Sequence, residues 1–313
     1  MTLFRSPVAL AVLLALVAAC FSGVNNFLTK AALSEIGDPI MFTTLKNVVV
    51  AIIVVGVMAF LGKHREVRAL SRANIKKLIA IGVIGGSIPF ALFFTGLSMT
   101  SAISGALIHK TLVLWVALLA IPFLRERLSL LAALGVLLVF GANVMVSGFK
   151  GMTFGTGEML ILLATLFWAV EQIIAKKTLA DVSPITVVSA RMVLGSILLV
   201  GFLAVTGRLG AIVDVTLLGW GWVALTGGLL LGFVLSWFKA LSLAPVTSIA
   251  ALLVPATLVT NVLTSVFVTH TYTPRQGYAA LAFLVGTALL VVALHRALVR
   301  GGKSALDTTL SRA

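Results

Sequence analysis

The stretch AISGALIHKTLVLWVALLAI, residues 102–121, holds twenty residues of which only two, His109 and Lys110, can ionise. As a helix rising ~1.5 Å per residue, it is long enough to cross the ~30 Å hydrocarbon core of a bilayer. His109 and Lys110 fall near its middle. On insertion scales a lysine at that depth costs roughly 2.5–3.5 kcal/mol. Both side chains must therefore face water, a partner group or a bound solute. The apolar residues around them frame that polar point.

The composition of the whole chain agrees. Apolar residues make up 60% of it and charged residues 10%. A soluble domain carries about 25% charged residues, so a chain this apolar is read as a multi-pass membrane protein with the lipid bilayer as its solvent. A net charge of +14 would suggest nucleic acid as partner of a soluble protein. Here the basic residues fall in short loops between apolar runs, which is a topology signal and argues against nucleic acid. The single cysteine, Cys20, excludes an intramolecular disulfide framework and a cysteine-rich metal site. Val17-Ala18-Ala19-Cys20 has the look of a signal-peptide end, but the apolar run continues to Leu28 and suits a retained helix.

Outward from 102–121, ten spans are read at 7–29, 39–61, 78–98, 102–121, 129–147, 158–177, 184–205, 217–238, 247–267 and 275–294. The predicted fold class is all-α integral membrane. The alternating ~10-residue segments of a β-barrel are missing. If both termini are cytoplasmic, sixteen of the 23 Lys and Arg residues lie inside and only Lys30, Lys150, Arg208 and Arg275 outside. That bias places the chain in the cell inner (plasma) membrane with both ends in the cytoplasm. The basic loop 63–77 reads as a solvated topology determinant. The polar segment after Arg300 reads as a disordered cytoplasmic tail, residues 299–313.

The two halves resemble each other. Phe21-Ser22-Gly23-Val24-Asn25-Asn26 aligns with Phe167-Trp168-Ala169-Val170-Glu171-Gln172, and Lys30 falls on Lys176. Pro39 precedes Lys46 by seven residues, as Pro184 precedes Arg191, and Leu97-Ser98-Met99 aligns with Leu241-Ser242-Leu243. Residues 1–149 and 150–298 are read as the two repeats. Five spans per repeat is an odd number, so the second enters the membrane inverted. The loops agree: 63–77 has six basic residues, while its equivalent 206–216 has only Arg208. Inverted repeats are the architecture of many secondary transporters, with the site near the midplane between halves.

Two five-span halves, each with Pro-x6-Lys/Arg early in the second span and Leu-Ser between the third and fourth, together with Phe-Leu-Arg-Glu-Arg-Leu at 123–128, resemble the EamA-type transporters of the drug/metabolite transporter superfamily. The resemblance covers roughly residues 7–295. It implies ten helices around a central cavity lined mainly by the first, third, fourth and sixth helices and their inverted mates. It also implies transport of small metabolites, often amino acids and often outward. One departure is visible: the acidic residue closing the fourth helix is Glu126, but His270 holds the matching place in the second half.

The candidate binding residues are the polar groups inside spans. Lys110 and His109 are read as lining a cavity, where they bind an anionic group or handle a proton, or else as a structural pair with a neighbouring helix. Glu171, with Asn25 at the matching place in the first span, is either a proton- or cation-binding carboxylate or the counter-ion of Lys110. Lys46 and Arg191 are expected to snorkel to the nearer membrane face, with a substrate-entrance role as the alternative. Trp115 and Trp237 are candidates to stack on a substrate, against packing or interface anchoring. Pro89 and Pro255 are expected to break their helices. Gly82, Gly85, Gly86, Gly227, Gly228 and Gly232 are expected to allow close helix packing.

No HExxH, Walker A or GxSxG pattern occurs, so the chain is not read as an enzyme, and neither a cofactor nor a metal is implied. The function expected is alternating-access transport of a small amino or organic acid, with protons as a possible coupling ion. The alternative is proton-coupled export of hydrophobic cations through Glu171. Smaller members of the superfamily that the chain resembles place a membrane-embedded carboxylate in the equivalent helix.

Overall fold

The computed structural model describes residues 7–147 and 154–310. Arg5, Lys150 and Arg312, which enter the charge count above, and the boundary between halves at 149–150 lie outside the described residues. Among the described residues every regular element is helical.

The first half comprises α1 (Pro7–Ile36), α2 (Pro39–Phe60), a short α3 (His64–Arg68), α4 (Arg72–Ile84) with α5 (Ile88–Met99), α6 (Ala102–Lys110) with α7 (Leu112–Leu124), and α8 (Leu130–Ser147). The second comprises α9 (Thr156–Thr178), α10 (Pro184–Val205), a 3-10 turn (Leu209–Asp214), α11 (Leu217–Leu243), α12 (Val246–Leu253) with α13 (Ala256–Thr264), a π turn (Ser265–Thr269) and α14 (Pro274–Leu310). Among the described residues, nine helices or near-continuous helix pairs are long and apolar enough to cross a membrane, and Leu130–Val146 is a shorter tenth. The fold is therefore an all-α membrane fold, and α1 passes through Cys20 without interruption. Contrary to the expected disordered tail, α14 continues as helix to Leu310. No proline follows Pro274 to stop it.

The same local chemistry starts and stops matching helices. Asp38 caps α2, accepting from Ile40 N at 2.8 Å and Met41 N at 3.2 Å, with Pro39 just inside. Pro184 likewise stands just inside the start of α10, although Ser183 before it makes no side-chain capping bond. Ser71 Oγ accepts from Asn74 N at 3.2 Å to cap α4, and Thr216 Oγ1 accepts from Gly219 N at 3.0 Å to cap α11. Such caps satisfy amides that have no partner in the first turn. Gly62 and Gly207 end α2 and α10 at φ +66° and +71°, a left-handed conformation that favours glycine.

Packing follows the repeat as well. The crossing α1 lies along α11, and its counterpart α9 lies along α4 and α5. The pairs α2–α10 and α8–α14 each join a helix to its own counterpart. This exchange pattern is that of two inverted five-helix repeats. Apolar side chains such as Phe60, Leu130 and Leu217 are 90%, 77% and 90% exposed, an outer surface suited only to lipid.

In lipid, helices associate through close packing rather than through a water-driven hydrophobic effect. Gly82, Gly85, Gly86 and Gly232 each sit where a Cβ would come within 2.6 Å or less of a neighbouring helix, whereas Gly227 and Gly228 have no such contact. Backbone approaches backbone between Gly86 and α10: a Cβ on Gly195 would lie 2.6 Å from the Gly86 carbonyl oxygen. Gly195→Ala is therefore expected to destabilise the protein by about 1–3 kcal/mol. Gly201→Ala, with open space around it, should leave stability unchanged. Thermal unfolding in detergent checks both, and equal melting temperatures would refute the contact.

The basic loop is not simply solvated. Glu66 of α3 accepts from Ser183 N at 2.7 Å, Ser183 Oγ at 2.6 Å and Thr186 Oγ1 at 3.1 Å. Partial burial pulls the Glu66 carboxyl up. The hydrogen bonds from Ser183 and Thr186 and the charge of Lys63 outweigh it and hold the group below its ordinary range. The loop is thereby tied to the start of α10.

Candidate functional site

The site begins with a missing amide. In an unbroken third crossing, the Gly85 carbonyl would accept from the residue four positions on. That residue is Pro89, which has no N–H. The helix breaks between α4 and α5, and the Gly85 oxygen turns to side chains of the second half. It accepts from Trp168 Nε1 at 3.1 Å and from Arg191 Nη2 at 3.0 Å. Arg191 Nε also lies 3.3 Å from Glu171 Oε1. A Cβ on Gly85 would lie 2.2 Å from Glu171 Cγ, so a glycine is needed for the carboxylate to reach this place.

The fourth crossing breaks as well. Lys110 is the last residue of α6, and Thr111 separates it from α7. The Thr111 hydroxyl donates to Ile108 O at 2.6 Å and accepts from Trp115 Nε1 at 3.0 Å. Its counterpart in the second half is Pro255, where α12 gives way to α13. His109 and Lys110 thus occupy the last turn of a half-helix, whose terminal carbonyls favour positive charge. The His109 ring lies 4.9 Å from that of Trp168 and 5.3 Å from that of Phe93, and its Nδ1 has no hydrogen-bond partner among the described residues.

These groups open on a cavity of ≈ 460 Å³, within the usual range for small-molecule sites. Four side chains bear charge on its wall: Lys46, Lys110, Arg191 and Glu171. Glu171 is committed to Arg191. Among the described residues no carboxylate lies within 4.0 Å of Lys46 or Lys110. Two ammonium groups are thus left without an acidic partner. Amides from Asn25, Asn26, Asn47 and Gln172 and aromatic faces from Phe93, Trp168 and Trp237 complete the lining. The oxygens Asn25 Oδ1 and Gln172 Oε1 are buried without a partner among the described residues.

One end of the cavity is closed by polar locks. Glu126 accepts from Val246 N at 2.6 Å and Thr247 N at 3.2 Å, capping α12. Lys176 Nζ donates to Leu241 O at 2.7 Å and Ala244 O at 2.8 Å, holding the end of α11. Trp237, Phe238 and Ala250 lie buried beneath. At the opposite end, Lys30, the counterpart of Lys176, is exposed and makes no such bonds. There the partly exposed Leu33 and Leu97 line the mouth. His270 shares the left-handed backbone of Arg125, at φ 50° and 56°. The π turn Ser265–Thr269 adds one residue to its helix, so the structural counterpart of Glu126 is Thr271 rather than His270.

Lys110, His109, Glu171 and Asn25 all line the cavity. Trp115 does not: its ring nitrogen is taken by Thr111, and the aromatic wall comes from Trp168 and Trp237 instead. The suggested Lys110–Glu171 pair is absent, because Arg191 holds the carboxylate. Lys46 and Arg191 do not snorkel. They are 8% and 9% exposed and face the cavity, so the second and seventh crossings contribute charge to a wall expected mainly from other helices. The seven-residue spacing from Pro39 and Pro184 was the available signal for this pair. It marked the two as counterparts without revealing which way they point.

The sequence matches the EamA-like transporter family over residues 9–148 and again over 155–292. It is 27% identical over 159 residues to the "Uncharacterized transporter YyaM" of Bacillus subtilis, covering 49% of this chain and 52% of that protein. It is 28% identical over 130 residues to an "Uncharacterized transporter" of Archaeoglobus fulgidus, covering 42% and 47% of the two chains. The chain spans about half the length of the curated relatives it matches. One solved crystal structure superposes with a TM-score of 0.72 over 91% of this chain and 98% of its own, at 16% identity. That likeness concerns the fold alone.

Proposed function

The chain belongs to the EamA-like transporter family, and from that premise we propose that it carries a small anionic metabolite, of amino-acid or organic-acid type, by alternating access. The observation behind this reading is Lys110. It presents an ammonium group at a broken helix, inside a cavity closed at one end, with no acidic partner of its own. A partly buried ammonium without an acidic partner among the described residues is unfavourable, and a substrate carboxylate would supply the missing one. His109, whose Nδ1 has no partner among the described residues, offers the substrate a further hydrogen-bonding group. Asn25 and Gln172 offer amides to the polar remainder of the substrate.

The rival reading, export of hydrophobic cations through Glu171, is less well supported. The carboxylate is engaged by Arg191, and the free charges on the wall are positive. The orientation proposed from the Lys/Arg bias puts both termini in the cytoplasm of a cell with this protein in its inner membrane. The end locked by Glu126 and Lys176 is then cytoplasmic, and the cavity opens outward. In an exporter this would be the releasing state.

Uptake and counterflow in proteoliposomes, with and without a pH gradient, test the reading. Amino and organic acids should be carried, and a hydrophobic cation such as tetraphenylphosphonium should not. A stimulation by the gradient would assign proton coupling. Transport of the cation with no anion moved would sink the proposal.

A further inference from the structure

We propose that the substrate carries two anionic groups, with Lys46 holding the second; this rests on the reading that Lys110 holds the first. The argument comes from comparing the two halves at matching positions. In the second half, Arg191 of α10 is neutralised by Glu171 of α9 at 3.3 Å. Their counterparts in the first half are Lys46 of α2 and Asn25 of α1. The inverted repeat thus builds the same place twice. It supplies a carboxylate in one half and a neutral amide in the other.

Lys46 is only 8% exposed, yet its ammonium has no hydrogen bond or ion pair among the described residues. The ammonium lies over the Phe42 ring, 4.7 Å from its centre. An aromatic face is a much weaker partner for a buried cation than a carboxylate is. Asn25, which stands where the carboxylate would be, leaves its Oδ1 buried and unpartnered.

Lys46 and Lys110 line the same cavity but come from different helices, so one anionic group does not have to serve both. With Arg191 and Glu171 cancelling, a ligand bearing two negative charges brings the wall to neutrality, and a monoanion leaves one ammonium exposed to apolar surroundings. The chemical class is a small molecule with two anionic groups, either a dicarboxylate or a carboxylate that also bears a phosphate. Asn47 and Thr43, beside Lys46 on the same helix and also lining the cavity, supply the hydrogen bonds that an oxygen-rich group needs.

The test is ligand binding to the full-length protein in detergent, followed by tryptophan fluorescence, since Trp168 and Trp237 line the cavity. Matched pairs differ by one anionic group: alanine with aspartate, lactate with malate, and serine with phosphoserine. In the wild-type protein at least one compound with two anionic groups should bind roughly tenfold or more tighter than its partner with one. The pair that responds distinguishes a dicarboxylate from a phosphate. Lys46→Gln should bring that ratio close to one, and Lys46→Arg should restore it. Lys110→Gln should weaken both members of the pair. No preference for any compound with two anionic groups, or a preference that survives Lys46→Gln in a monodisperse protein, overturns the second subsite while leaving the Lys110 reading intact. Unchanged binding in Lys110→Gln overturns that underlying reading instead.

Discussion

Lys110→Ala is expected to abolish substrate binding and transport while leaving a protein that inserts, folds and melts no lower than the wild type. The two halves of that expectation have one cause. Truncating one member of a buried charge pair costs roughly 2–5 kcal/mol of binding. At about 1.4 kcal/mol per factor of ten, this is about thirty-fold or more in affinity. The empty protein loses nothing comparable, because Lys110 makes no ion pair with any described residue. Removing it takes away a desolvated charge without stranding a partner. Substrate binding and thermal unfolding, measured on the same purified variant, separate this from a structural role. If Lys110 were a structural cation, the variant would melt lower than the wild type even without substrate. A variant that binds and transports normally would remove Lys110 from the site.

Glu171→Gln is expected to behave in the opposite way, with a loss of about 3–5 kcal/mol in stability. Arg191 is 9% exposed and would be left with the Gly85 carbonyl at 3.0 Å as its principal polar partner. A guanidinium buried without its carboxylate has no access to water to offset that loss. Removing both charges as Glu171→Gln with Arg191→Met should recover most of the stability. Gly85 O would still accept from Trp168 at 3.1 Å. Combining Glu171→Gln with Lys110→Met should bring no recovery, because those two groups are not partners. The comparison is a double-mutant cycle on melting temperature. An undiminished melting temperature for Glu171→Gln, or rescue by Lys110→Met, would show that the pairing has been assigned to the wrong cation.

That second cycle marks the boundary between what pattern and packing can each decide. The apolar runs, the Lys/Arg asymmetry and the matched Pro39 and Pro184 positions carry the all-α membrane fold and its two inverted repeats. Their physical basis is local: length against bilayer thickness, and the cost of moving charge across it. The breaks at Pro89 and Pro255 are legible for the same reason, since a missing N–H acts on the helix that contains it. The His109–Lys110 position is legible because ionisable side chains inside a span are rare.

What the sequence alone left open is which of those side chains meet. Lys46 and Arg191 lie near enough to the ends of their spans to reach the membrane face, and reach along a single helix was the available criterion. The structure turns them inward instead, because α2 and α10 pack against each other and against α11 and α4. Lys110 was the counter-ion that the sequence suggested for Glu171. The choice fell to Arg191 because Gly85 and Gly86 let α4, α9 and α10 approach closely, while Lys110 ended a half-helix on the open cavity. Trp115 was drawn away by a hydroxyl four residues back, at a break that no proline announces. Position in the chain sets where each charge sits along its helix. Its partner depends on how the helices pack: Glu171 and Arg191 stand on neighbouring helices of one half and are brought together against Gly85 of the other.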